Sequence, residues 1–206
     1  MRCSLRWWLV AALAGVSPTD FAADGDAAAG KEKSALCQTC HGVNGKSVEP
    51  TIPHLAGQHA DYILKQIYDF QIQNRADPRM SPVAGALGNA QDARDIAAYF
   101  AAQPPMRGTL GKNAQVQLGK TIYDIGIVAR GIGSCSQCHG PNGKGDAQGM
   151  ELFPVIGGQN KAYLIKQMND FKSDKRNTDP SGVMPLLGKQ LTKLELDAVA
   201  EYLAGM

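Results

Sequence analysis

A chain of 206 residues with 21 basic and 19 acidic side chains has a formal net charge of +2, too balanced to leave the footprint of a nucleic-acid-binding protein. Its hydrophobic share of 44% and charged share of 19% exclude a disordered chain, and its length permits one mid-sized domain or two small ones.

Residues 1–23 read as a secretory leader. Arg2 and Arg6 flank the start of an apolar run, Trp7 to Val16, that is too short to span a bilayer, with cleavage expected near Phe21-Ala22-Ala23. Cys3 leaves with the leader, so the mature chain keeps Cys37, Cys40, Cys135 and Cys138. A chain without spare thiols suits export to an oxidising compartment, here a periplasm. No later segment is apolar enough to cross a membrane, although peripheral association with one stays open.

A first helix is predicted over Ala27 to Cys37, built from good helix formers. It leads into Cys37-Gln38-Thr39-Cys40-His41, and the same pattern returns as Cys135-Ser136-Gln137-Cys138-His139. C-x-x-C-H is the attachment sequence of c-type haem: two thiols add to the two vinyl groups of the porphyrin, and the adjacent histidine becomes an axial iron ligand. A four-thiolate zinc site would leave both adjacent histidines without a purpose. A thioredoxin-like redox pair would need a strand-helix-strand setting that the sequence lacks.

A glycine-rich loop follows, Gly42 to Lys46, then a helix over about Gln58 to Gln73 with Ile63, Ile67 and Phe70 on one face. Asp77 to Pro82 reads as a loop carrying Met80, and Ala90 to Ala102 as the closing helix. Pro104-Pro105 stops that helix.

The second half repeats this order. Gly30-Lys31 matches Gly119-Lys120, Pro53 matches Pro154, Gly57-Gln58 matches Gly158-Gln159, and Tyr62, Gln66, Phe70 and Arg75 match Tyr163, Gln167, Phe171 and Arg176. Its helices are predicted over Ala114 to Asp124, Asn160 to Lys172 and Thr192 to Ala204, the last opened by a Thr192/Glu195 capping box. Leu164, Met168 and Phe171 repeat the apolar stripe, and a loop from Asp179 to Pro185 carries Met184. The expected organisation is a leader (1–23), an N-terminal domain (24–106), a linker (107–112) and a C-terminal domain (113–206). With no strand-forming run the class is all-α, each half leaning on its porphyrin to complete a small core.

Low-spin haem for electron transfer needs a ligand opposite the histidine, commonly methionine or a second histidine. Beyond the motifs only His54 and His59 remain, both in the first half, where their counterparts are Val155 and Asn160. They read as surface or haem-edge polar residues, and methionine becomes the candidate. Met168 falls on the core stripe opposite Ile67, Met150 has no counterpart, Met106 borders the linker and Met206 ends the chain, whereas Met80 and Met184 match. Metal ligands are therefore expected to be His41 with Met80 and His139 with Met184. Pro53 and Pro154 are placed to accept the other ring N–H of each histidine. Tyr62/Tyr163, Gln66/Gln167 and Arg75/Arg176 are candidates for holding haem propionates or for ordinary helix-surface positions.

With two attachment motifs, two methionine loops, and the paired Pro…Gly-Gln…Tyr…Lys-Gln…Phe and Asp-Pro patterns over essentially the whole mature chain, the sequence resembles the cytochrome c4 family, departing from it in carrying one methionine in each loop where many relatives carry a pair. The resemblance implies two tandem class I cytochrome c domains, each wrapped around one covalently bound haem c with His/Met ligation. It implies close crossing of the first and last helix of each half, with Gly30 and Gly119 as the small residues against Tyr99/Phe100 and Tyr202. It further implies a one-electron carrier, not an enzyme, passing electrons from a quinol-oxidising complex to a terminal haem–copper oxidase, with a monomer expected. Two other readings stay open: the dihaem subunit of a flavocytochrome c sulfide dehydrogenase, and a two-haem peroxidase with one displaceable ligand. Charge does not separate them, because residues 24–108 carry 8 basic and 9 acidic groups and residues 109–206 carry 11 and 9.

Overall fold

In the computed structural model, residues 25–147 and 152–206 are described; the leader and Met150 lie outside them. The described residues form ten α-helices in two sets of five. The first set is α1 (Ala27–Lys33), α2 (Ala35–His41), α3 (Ala60–Gln71), α4 (Met80–Gly85) and α5 (Ala90–Ala101). The second is α6 (Ala114–Ile125), α7 (Ser136–His139), α8 (Lys161–Lys172), α9 (Val183–Gln190) and α10 (Lys193–Ala204). Among the described residues the only β structure is three isolated bridges, so the all-α expectation holds.

The first and last helices of each half, α1 with α5 and α6 with α10, cross in close contact. A Cβ on Gly119 would stand 2.0 Å from the Ala198 carbonyl oxygen and 2.8 Å from Tyr202 Cβ, so only glycine admits this approach. Gly30 holds the same position against Asp95 and Tyr99. Ile63, Ile67, Ala93, Ile96, Ala97, Tyr99 and Phe100 build one core, with Cys37 and Leu55 packed against it. Val116, Ile122, Tyr123, Val199, Tyr202 and Leu203 build the other, with Cys135, Ile156 and Leu164 at its edge. The stripe on α3 is buried throughout, whereas on α8 only Phe171 is, with Leu164 and Met168 half-buried.

Local sequence explains most helix ends. Asp26, Asn89 and Asn113 accept backbone N–H groups at the starts of α1, α5 and α6, and Thr192 with Glu195 forms the anticipated capping box on α10.

Two elements differ from the sequence reading. The predicted first helix breaks at Ser34 and resumes as α2, which carries the first C-x-x-C-H. Ser34 is completely buried, and its hydroxyl donates to the Lys31 carbonyl at 2.8 Å while accepting from Gln38, a local bond that competes with the helical ladder. The expected methionine loops are helix starts instead: Met80 opens α4 and Met184 is the second residue of α9. Asp77 accepts the N–H groups of Arg79 (3.0 Å) and Met80 (3.2 Å), and Asp179 accepts those of Ser181 (3.1 Å) and Met184 (2.7 Å). Pro82 and Pro185 then fall in the first turn, where a missing N–H costs nothing.

The halves join about a pseudo-twofold axis. The Gln58 side chain donates to the Val155 carbonyl and accepts from its N–H, both at 2.9 Å. Gln159 repeats this with His54, at 3.1 and 2.9 Å. Buried Met106, in the connection between α5 and α6, accepts from Gln159 at 3.5 Å.

Candidate haem-binding site

At the end of α2 the spacing puts Cys37, Cys40 and His41 on one side of the helix. In the second half Cys135 precedes α7 and Cys138 and His139 close it. Glycines turn the chain out of both motifs: Gly42 has φ +78° and Gly140 φ +67°, values an L side chain rarely adopts. The returning chain is then captured. The Gly45 carbonyl accepts Leu55 N–H (2.8 Å) and Ala56 N–H (3.2 Å), and the Gly143 carbonyl accepts Ile156 N–H (2.8 Å) and Gly157 N–H (3.0 Å). This places a prolyl carbonyl beside each histidine, as anticipated: His41 Nδ1–H donates to Pro53 O at 2.9 Å and His139 Nδ1–H to Pro154 O at 3.1 Å.

Both imidazoles are buried, and burial pulls their pKa values below the ordinary histidine range. The prolyl carbonyls oppose this only in part, and for His139 the field of Asp179 does so as well. Burial thus favours the neutral ring, and the Nδ1–H bond commits that proton and leaves the Nε2 lone pair to bind an iron. The His139 ring also meets Phe153 edge-on at 6.3 Å.

All four thiols are free of disulfides. Cys37 and Cys135 are half-buried against their cores, and Cys40 and Cys138 are exposed. Burial pushes the Cys37 thiol up, and the Cys135 thiol up to about 11. Among the described residues no three His, Cys, Asp or Glu side chains converge on a common point, so the thiols are not gathered into one tetrahedral metal site. Two separate sets of paired thiols, each with a neutral oriented imidazole, fit covalently attached haem as a donor set.

Met80 and Met184 are half-buried, each at the start of the helix after the Asp-Pro segment. Of the other methionines, Met168 is half-buried on α8 and Met206 packs against the second core.

The paired polar residues meet across the two halves. Arg75 donates to Gln66 of its own half and to Tyr163 (3.1 Å) and Gln167 (2.6 Å) of the other. Arg176 donates to Gln167 (2.8 Å), Tyr62 (2.8 Å) and Gln66 (3.0 Å). The six residues form one seam between the halves, buried at Gln66, Arg75, Gln167 and Arg176 and half-buried at Tyr62 and Tyr163. His59 and its counterpart Asn160 also belong to the junction: His59 Nε2 bonds to Lys144 O at 3.0 Å, and Asn160 donates to Ile52 O at 2.8 Å. The His54 ring is half-buried, its Nδ1 without a partner. A signal for this junction was present in the sequence, since polar residues repeated at matching positions on a helix face need a shared partner.

The family model for cytochrome c matches residues 27–103 and again 116–206. Cytochrome c4 of Pseudomonas aeruginosa is 38% identical over 89% of this chain and 90% of its own length. The crystal structure of reduced recombinant cytochrome c4 from Pseudomonas stutzeri superposes with a TM-score of 0.83 at 35% identity, covering 88% of this chain and 99% of that one. A thiosulfate dehydrogenase electron acceptor from Stutzerimonas stutzeri is 34% identical over 82% of this chain and 78% of its own.

Proposed function

Since the chain belongs to the cytochrome c4 family, dihaem electron carriers that are not enzymes, we propose that it carries single electrons through a periplasm from a quinol-oxidising complex to a terminal haem–copper oxidase. Two covalently attached haem c groups supply the reversible one-electron iron chemistry. In this reading Cys37 and Cys40 tether the first and Cys135 and Cys138 the second. His41 and Met80 ligate one iron, His139 and Met184 the other. The leader ends near Ala23, and residues 24–106 and 113–206 form the two domains.

The observation that carries the reading is the duplicated Nδ1–H bond from a buried motif histidine to a prolyl carbonyl. It fixes the tautomer that leaves Nε2 to the metal and makes the imidazole a better donor. The protein's own residues then have three tasks: hold the ligands, keep water from the irons, and fix the distance between the two centres. Thioether ligation raises the reduction potential into a range suited to accepting electrons from quinol-oxidising machinery. Held by His41 with Met80 and by His139 with Met184, the two irons would be closed to substrate, which would distinguish this carrier from a two-haem peroxidase.

A second reading concerns the donor. The similarity to a thiosulfate dehydrogenase electron acceptor favours delivery from a sulfur-oxidising dehydrogenase, a closer rival than the flavocytochrome c sulfide dehydrogenase considered from sequence. Rapid mixing of the oxidised holoprotein with either donor decides. Reduction by the quinol-oxidising complex at least tenfold faster than by thiosulfate dehydrogenase with thiosulfate supports the first assignment; the reverse order replaces it.

A further inference from the structure

We propose that Arg75 and Arg176 act as one shared cation pair that tunes the reduction potentials of both haem centres together, a proposal that rests on the two-haem reading above. The two residues meet on the pseudo-twofold axis, their backbones joined by an isolated antiparallel bridge. Both guanidiniums contact Gln66 and Gln167, so each charge is held by side chains of both halves. Each also lies over an aromatic face, Arg75 at 4.7 Å from the Phe70 ring centre and Arg176 at 4.6 Å from that of Phe171.

Among the described residues, no protein carboxylate bonds directly to either guanidinium. Both arginines are buried, and the hydrogen bonds of their guanidiniums go to glutamine, tyrosine and threonine oxygens, all uncharged. Carboxylates enter at one remove. Gln66 donates to Asp69 at 3.2 Å and Gln167 to Asp170 at 3.5 Å, and those acids are already paired with Lys65 (2.6 Å) and Lys166 (2.7 Å). Asp77, the acid whose field reaches Arg75, is itself 3.4 Å from Lys166. Positive charge in a buried seam is weakly screened and acts over distances at which surface charge does not. A reduced iron carries one positive charge fewer than an oxidised one, so a buried cation favours reduction. Placed on the symmetry axis, the pair presents the same field to both halves.

Replacing either arginine by a neutral residue is therefore expected to lower both potentials, not only that of its own half. The experiment is a spectroscopic redox titration of the full-length holoproteins carrying Arg75→Gln, Arg176→Gln and Arg75→Lys, with haem content and the weak red sulfur-to-iron band recorded for each. Both glutamine variants should shift both potentials downward, and Arg75→Lys, which keeps the charge but not the fork, should leave them at wild-type values. A shift confined to one haem, no shift, or an equal fall with lysine overturns the proposal. If one glutamine variant fails to incorporate haem, the other and the lysine variant still decide. Absence of two haems or of the sulfur-to-iron band in the wild-type protein strikes instead at the ligand assignment, so the two failures are separable.

Discussion

A Cβ built on Gly30 stands 1.9 Å from the carbonyl oxygen of Asp95, inside any van der Waals contact, so α1 and α5 touch backbone to backbone. Gly30→Ala must push these helices apart, and neither partner is a flexible side-chain end. The expected cost is at or above the upper part of the ~1–3 kcal/mol typical of overpacking. Thermal unfolding of the holoprotein checks it, and Gly119→Ala should match it in the second half. Gly85→Ala is the control, since nothing lies within 4 Å of its added carbon.

Asp95 gives that helix pair a pH dependence. Its carboxylate accepts the Asp26 N–H and a Gln91 amide N–H, both at 2.9 Å, and pairs with Lys33. The Lys33 contact first, then the two other donors, hold its pKa down to about 2, against 3.8 for the ordinary side chain. A depressed carboxylate stabilises the fold above its unfolded pKa, and that contribution disappears as pH falls from about 4 towards about 2. Asp95→Asn should therefore flatten the acid limb of a stability-versus-pH curve in that window. An unchanged limb would show that Asp95 does not set it.

The junction glutamines are expected to matter more than their neutral chemistry suggests. Gln58→Ala removes both bonds to Val155 and strands a backbone N–H and a carbonyl between the halves. Each stranded buried group costs about 1–3 kcal/mol where water does not enter. The loss should appear as early separation of the halves, read as two unfolding transitions in calorimetry where a single transition is expected of the wild type. Gln159→Ala, which strands His54 in the same way, should behave alike.

Methionine substitutions separate ligand from packing. Met184→Ala is expected to remove half of the red sulfur-to-iron absorbance, and Met80→Ala the other half. Met168→Ala should leave the band whole and show only a modest loss of stability, in keeping with a half-buried core position.

The repeat made much of this architecture legible in the sequence. The helices over α3, α5, α6, α8 and α10 and the prolyl carbonyl partners of the histidines follow from matching one half against the other, and the two crossing glycines from the resemblance to the cytochrome c4 family. The break at Ser34 was hidden because serine is tolerated in helices and its inward-facing hydroxyl has no signature in the pattern. The short helices at Met80 and Met184 were hidden because prolines two or one residues on read as loop, although a proline in the first turn is compatible with helix. The contacts of Arg75 and Arg176 across the halves were not legible for a physical reason. A polar residue repeated at equivalent positions signals a partner common to both halves, and a cofactor edge or the other half satisfies that demand equally well. Periodicity tells which face of α3 or α8 is apolar, but not what its polar flank meets.

The most direct measurement of the two-haem carrier is a reductive spectroscopic titration of the purified holoprotein. Two electrons per chain are expected, with two low-spin haems and the sulfur-to-iron band present for both in the oxidised state. Uptake of a single electron per chain, or a high-spin haem in the oxidised protein as isolated, would contradict it.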